Sequence, residues 1–290
     1  MSLQADHHAE KKLVLIAGKP SHPPLMHEFR AGALLLQKCL KDVRDLKVEV
    51  HDMGWVKDEA TLEDADAVVI FADGGGGHPA VQDDRLNTLD KIIAKGVGFG
   101  GMHYGVEVLA NKGGAEFKRW IGGHYEHMFS CNPMWQPNFD NFPKHPTTQG
   151  VKPFQIKDEW YFNMRFIGNI SGNEPTIEDE IKFTPILIGK PSDDVRNGPY
   201  VYPKGPYPHI VSSTGREESM LWVVERPDGG RGFGFTGGHF HLNWGNENFR
   251  KVILNTLLWV AKVEVPTKGV SSTVTEEELQ QNLDPKGKKR

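Results

Sequence analysis

Along the first part of the chain the pattern of apolar and polar positions alternates between two periods. Lys12–Gly18 (KLVLIAG) and Asp64–Phe71 (DADAVVIF) are short, nearly unbroken apolar runs, as expected of strands covered on both faces. Leu46–Val50 alternates like a strand, and Val97–Gly101 is another apolar run. Between them, Glu28–Leu40 places apolar residues at helical spacing (Phe29, Ala33, Leu34, Leu36, Leu40), and Asp84–Ala94 also reads as a helix. Strands alternating with helices predict an α/β protein with a mostly parallel sheet and helices on both faces. Ligands of such sheets sit beyond the carboxyl ends of the strands. The loops at Ser21-His22, Asp73–His78 and His103 are therefore expected to converge.

Further on the periodicity weakens. The stretch 120–150 is aromatic and Pro-rich (Trp120, Trp135, Phe139, Phe142, His145-Pro146), which predicts an ordered lid or wall packed by its own side chains. Pro185–Ile188, His209–Ser212, Met220–Glu225 and Gly232–Phe235 read as strands, with a hairpin turn at Pro227-Asp228-Gly229-Gly230. Asn248–Ala261 is an amphipathic helix that should close the fold. Beyond Pro266 the chain is polar and charged without a core-forming pattern, which predicts an arm that is disordered or docked on a neighbour. The expected organisation is one domain over 11–265 with an insertion near 120–150, and terminal extensions at 1–10 and 266–290.

A chain of 290 residues suits one α/β domain with insertions. A net charge of -4 gives no basis for binding nucleic acid or an anionic membrane, and no apolar run is long enough to span a bilayer. The composition of 32 Gly, 19 Pro and 13 His suits a site built on loops above a rigid sheet. Cys39 and Cys131 allow at most one disulfide and exclude an all-cysteine zinc site. Met1–Glu10 has no apolar signal core, which leaves cytoplasmic and exported locations both open. The aromatic insertion and the arm are compatible with a homo-oligomer.

The strand-turn-helix stretch Gly96–Glu107 (GVGFGGMHYGVE) carries the chemistry. Gly101-Met102-His103-Tyr104-Gly105 has the layout of a nucleophile elbow, in which small residues let the chain bend and expose the central side chain. That central residue is His103, not Ser or Cys. His239 follows another strand through two glycines, with His241 two residues on. Asp158-Glu159-Trp160-Tyr161 supplies an acid; adjacent carboxylates in an extended segment face opposite ways, so one of them can enter the site. A Glu159 shielded by Trp160 and Tyr161 would have the raised pKa of a general acid or base, with Arg165 as its counter-ion. His22 and His78 sit in loops after strands, beside prolines or glycines. Several His and one Glu at one sheet edge have the composition of a zinc or manganese site held by His103 and His239, although no H-x-x-x-H or H-E-x-x-H spacing is present. Gly77 closes a tetraglycine that could form an anion-binding nest, but the fingerprints of nucleotide cofactors are missing, so none is expected. Gly77, Tyr104, His124, Trp135, Tyr161 and His241 complete the expected substrate-binding set with His22, His78 and Arg165.

The chain resembles the ThuA-like (trehalose utilisation) family. The resemblance rests on Ile16–His22, His27-Glu28-Phe29, Gly100–Tyr104, Trp120-Ile121-Gly122-Gly123, Asp158–Tyr161 and Gly232–Trp244. It implies a three-layer α/β sandwich with a flavodoxin-like core, similar to the class I glutamine amidotransferases. In that superfamily the elbow carries Cys, and Phe235–His241 looks like the segment bearing the catalytic His, which makes His239 its counterpart. With His103 at the elbow, glutaminase chemistry by a thiolate is ruled out. The resemblance implies a small carbohydrate as partner. Two readings follow. One is an enzyme acting on a saccharide or keto-saccharide as hydrolase, lyase or isomerase, with His103, His239 and Glu159 as acid-base groups or metal ligands. The other is a catalytically silent sugar- or partner-binding module on a degenerate scaffold.

Overall fold

The computed structural model describes residues 9–168 and 175–286. Most of the leading extension therefore lies outside the described residues. The first strand, β1 (Lys11–Ala17), shows why its run is apolar throughout: Leu13, Leu15 and Ala17 enter one core while Val14 and Ile16 enter another. A strand covered on both faces has no side left for polar residues. Helices α1 (Phe29–Leu40) and Glu247–Val260 cover the first face. Helices α2 (Arg85–Ile93) and α3 (Gly114–Ile121) cover the second, so the molecule is a three-layer α/β sandwich.

The central sheet has eight strands. β2 (Leu46–His51), β1, β3 (Ala67–Phe71), β4 (Gly98–Met102) and Arg231–Phe235 lie side by side and run parallel. Glu218–Glu225, Ile181–Gly189 and Thr176–Glu178 extend the sheet antiparallel. The turn 227–230 does join the strand Glu218–Glu225 to Arg231–Phe235 as a hairpin. The expected strand at Pro185–Ile188 is longer, and its pairing slips between Pro185 and Leu187, where proline has no N–H for the ladder.

Two expectations are corrected. His209–Ser212 is not a strand: Pro208–Val211 forms a short helix, and Pro208 fits its first turn because no N–H is needed there. The described part of the tail, to residue 286, packs on its own chain rather than dangling or reaching a neighbour. Val270 and Leu279 are buried, Glu278 pairs with Lys38 at 2.5 Å, and the Arg250 guanidinium donates to the Ser272 carbonyl at 3.0 Å. A few apolar anchors at irregular spacing leave no periodic trace. Cys39 and Cys131 are both free thiols. Among the described residues no helix is long and apolar enough to cross a membrane.

Candidate functional site

The carboxyl ends of the parallel strands deliver their loops to one place. At the end of β4 the chain turns sharply through His103, whose φ is +53°, a left-handed value costly for a residue with a Cβ. The flanking glycines make this turn sterically accessible. A Cβ on Gly101 would stand 2.6 Å from the Gly105 carbonyl oxygen, and one on Gly105 2.8 Å from that of Ile70. The sharp turn is present, but it buries His103 fully instead of exposing it as expected, because the loops carrying His27, Tyr161 and His239 close over the ring.

Hydrogen bonds fix the tautomers. His103 Nδ1 lies 3.0 Å from the Thr236 carbonyl oxygen, which only accepts, so Nδ1 carries the proton and Nε2 a lone pair. His27, in the loop after β1, places Nδ1 2.8 Å from Asp73 Oδ1, which likewise leaves a lone pair on its Nε2. These two Nε2 atoms face each other at 2.9 Å, and His27 Nε2 is 3.0 Å from His239 Nδ1. Glu159 Oε2 is 2.7 Å from His239 Nδ1 and 3.7 Å from His103 Nε2. The four side chains are buried, with ligand-type atoms all within 4.8 Å of one another. A tetrahedral zinc with bonds of about 2.0–2.1 Å holds its ligand atoms about 3.3 Å apart, so the spacing and the donor types match such a set. Two imidazole lone pairs aimed at one point repel each other unless a cation lies between them.

Burial and the neighbouring imidazoles push the pKa values of His27 and His103 well below the ordinary histidine value. Both rings are thus neutral at pH 7, the form that ligates metals. The surroundings brace the set. Asn132 Nδ2 donates to Glu159 Oε1 at 2.8 Å, and the Tyr161 hydroxyl donates to His103 Nε2 at 3.3 Å. Asp158 points the opposite way from Glu159, as the strand pleat requires, and accepts from the N–H groups of Gly238 and His239, each at 3.0 Å. It thereby holds the loop that carries His239. The Nε2 of His239 is buried without a hydrogen-bond partner among the described residues.

The remaining expected residues divide into two groups. His22 stacks on His27 with ring centroids 3.6 Å apart, and Tyr104 meets His27 at 6.1 Å, so both border the cluster. His78 is buried elsewhere: Nε2 donates to the Gly105 carbonyl and Nδ1 accepts from Ala80 N–H, so both nitrogens serve the backbone. His124 donates to the Tyr125 carbonyl oxygen, and the Trp135 indole donates to that of Trp160. His241 is buried on the side facing Glu28 and Lys286. Gly77 is exposed. Arg165 does not neutralise Glu159; it makes a two-pronged pair with Glu126 at 2.8 and 3.0 Å and lies over the Phe129 ring.

Sequence reasoning left out His27, Asp73 and Asn132 as site residues, together with one further acid. Glu107, on the turn that follows the elbow, has no hydrogen bond to its carboxyl among the described residues. Burial, with the charge of Glu159 beside it, raises its pKa to about 8, so it holds a proton at neutral pH. Asp73 also lines an open groove of about 550 Å³ with Lys19, Gly77, Gln82 and Arg85. A larger cavity of about 880 Å³ lies between α1 and the C-terminal arm and touches no residue of the cluster.

The profile of the ThuA family, described as trehalose utilisation, matches residues 14–260. A solved ThuA-like protein from Bacteroides uniformis shares 13% identity, over 90% of this chain and 95% of its own, with a TM-score of 0.59. Another from Parabacteroides merdae shares 16% identity over 93% and 99%, with a TM-score of 0.57. At these identities the likeness is one of fold. No curated protein matches the chain in sequence.

Proposed function

We propose, from the premise that this chain belongs to the ThuA family and so has a carbohydrate-related role, that it is a metal-dependent enzyme acting on a saccharide or keto-saccharide. The reaction class is hydrolysis, elimination or isomerisation. The observation that carries the reading is the convergence of two imidazole lone pairs, a third imidazole and a carboxylate on one buried point. His27, His103, His239 and Glu159 would hold zinc or manganese. When bound, such an ion would polarise a carbonyl or hydroxyl oxygen, or lower the pKa of a water, that joins it as a ligand beyond these four.

The chain's own groups supply the rest. Asp73 and the Thr236 carbonyl keep His27 and His103 in the ligating tautomer. With Glu159 engaged as a ligand, Glu107 is the proton carrier, a partly buried carboxyl that can take a proton from an enolising or leaving oxygen and return it. The groove lined by Asp73, which reaches the cluster through the Asp73–His27 bond, would receive the sugar, and its size falls within the about 300–1,000 Å³ typical of small-molecule sites. Burial of the cluster excludes bulk water.

Metal content of the purified protein, with His103→Ala and His239→Ala beside it, tests this first. The expected result is near-stoichiometric zinc or manganese in the unmodified chain and loss in both variants. No metal in any sample after reconstitution would overturn the reading. Metal-loaded protein that binds saccharides but turns over none of a keto-saccharide panel would favour the silent binding module, for which the missing elbow nucleophile already speaks.

A further inference from the structure

We infer that the C-terminal arm is a positioning element for His27 and that Lys286 is its working residue. The inference rests on the metal reading above for its consequence, but on the fold for its geometry. His27 has a φ of +48° and Leu25 one of +65°, both left-handed, and such backbone persists only where several contacts over-determine it. From one side the strand-like segment at His239 supplies them. His27 N–H donates to the His239 carbonyl at 3.0 Å, and His241 N–H donates to that of Leu25 at 2.9 Å.

From the other side comes the arm. Lys286 Nζ donates to the Met26 carbonyl and, at 3.2 Å, to that of His27. The same ammonium pairs with Glu28 Oε1 at 3.2 Å, in a pair whose side chains are only 6% and 1% exposed. Asp284 N–H donates to Glu28 Oε2 at 2.8 Å, and Leu25 N–H donates to Glu28 Oε1 at 2.9 Å. Two peptide carbonyls and a buried carboxylate thus converge on one lysine, and together they bracket the residue that aims Nε2 into the cluster. Remove the ammonium, and Glu28 is a buried charge without its partner while the His27 peptide loses its outer anchor. The loop then relaxes toward ordinary φ values and swings the imidazole off the point. Lys286 touches no ligand atom of the cluster; it acts through His27.

The test compares Lys286→Met, Lys286→Arg and a chain ending at Gln281 with the unmodified protein. The readouts are zinc affinity by chelator competition, hydrogen exchange of the His27 amide, and thermal melting. Lys286→Met is expected to melt cooperatively, about 5–10 °C below the unmodified chain, as the loss of one partner of a buried ion pair implies. Its zinc affinity should fall about 10- to 100-fold, the usual cost of losing an outer support of a ligand. Its His27 amide should exchange at least about tenfold faster, as for a locally loosened segment. Lys286→Arg should restore most of both, and the shortened chain should behave like Lys286→Met. Unchanged exchange and affinity in Lys286→Met would overturn the inference, as would collapse of its melting transition, which would make the lysine a general stabiliser. If the unmodified chain takes up no zinc, the metal reading fails by itself, and His27 amide exchange still decides for or against this one.

Discussion

Asp73 decides which nitrogen of His27 is available. By accepting from Nδ1–H it leaves Nε2 bare and aimed at His103 and His239. Asp73 is about one-third exposed, so its removal should cost little stability, whereas the tautomer it selects governs the whole cluster. Asp73→Ala is therefore expected to weaken zinc binding about 10- to 100-fold while the melting temperature stays nearly unchanged. Asp73→Asn, which still accepts through its amide oxygen but lacks the charge, should fall between. Chelator competition would show this, and equal affinity in all three would mean that something other than Asp73 sets the ring. At this scale the sequence was partly legible. His103, His239 and Glu159 could be named because each follows a strand or lies in a short acidic-aromatic phrase. His27 could not: it reads as the residue before a helix, and what makes it a ligand is a positive φ fixed by partners over two hundred positions away in sequence.

The elbow is an element whose geometry depends on what is missing from it. Gly105 packs its Cα under the Ile70 carbonyl, where a Cβ would have 2.8 Å and only backbone to push against. Gly105→Ala should cost about 1–3 kcal/mol in urea unfolding and displace His103 enough to weaken metal binding. Gly77→Ala is the control: a Cβ there meets nothing within 4 Å, and the change should stay within about 0.5 kcal/mol. Equal losses from the two would mean that the turn tolerates a side chain and that steric closure does not shape it. The same contrast explains which elements the sequence disclosed. β1, β3 and β4 are recognisable because burial on both faces removes their polar residues. The short helix Pro208–Val211 was misread as a strand because its few residues fill one turn, too short for periodicity to tell helix from strand. The arm was misread because two buried side chains, Val270 and Leu279, anchor it in place of a repeating face.

For the whole molecule, the neutral histidines make stability depend on pH. Among the described residues six histidines have pKa values pushed down chiefly by burial: His27, His78, His103, His124, His145 and His241. Below about pH 6.5 each takes up a proton when the chain unfolds but stays neutral when folded. The unfolded state then binds more protons, so stability falls as pH drops, by up to about 1.4 kcal/mol per pH unit for each group. His78, fully buried and lowered to about 4, would alone account for about 3 kcal/mol across that window. Glu107 has the opposite sign: with a folded pKa near 8 it binds a proton that the unfolded chain has released above about 4.5, so its contribution declines as pH rises to about 8. Asp158, also raised by burial, opposes the histidines at the acid end. Asp284 is raised by burial as well, so six groups stand against three and the histidines set the net direction. Urea midpoints of the metal-free chain should rise from pH 5 to about 6.5 and then sink gently toward pH 8. Saturating zinc should raise the midpoints across the range without steepening the acid limb, because His27 and His103 are already neutral in the folded chain and give up no proton to the ion. Midpoints that zinc raises equally in the unmodified chain and in His103→Ala would place any bound ion outside the His27, His103 and His239 cluster.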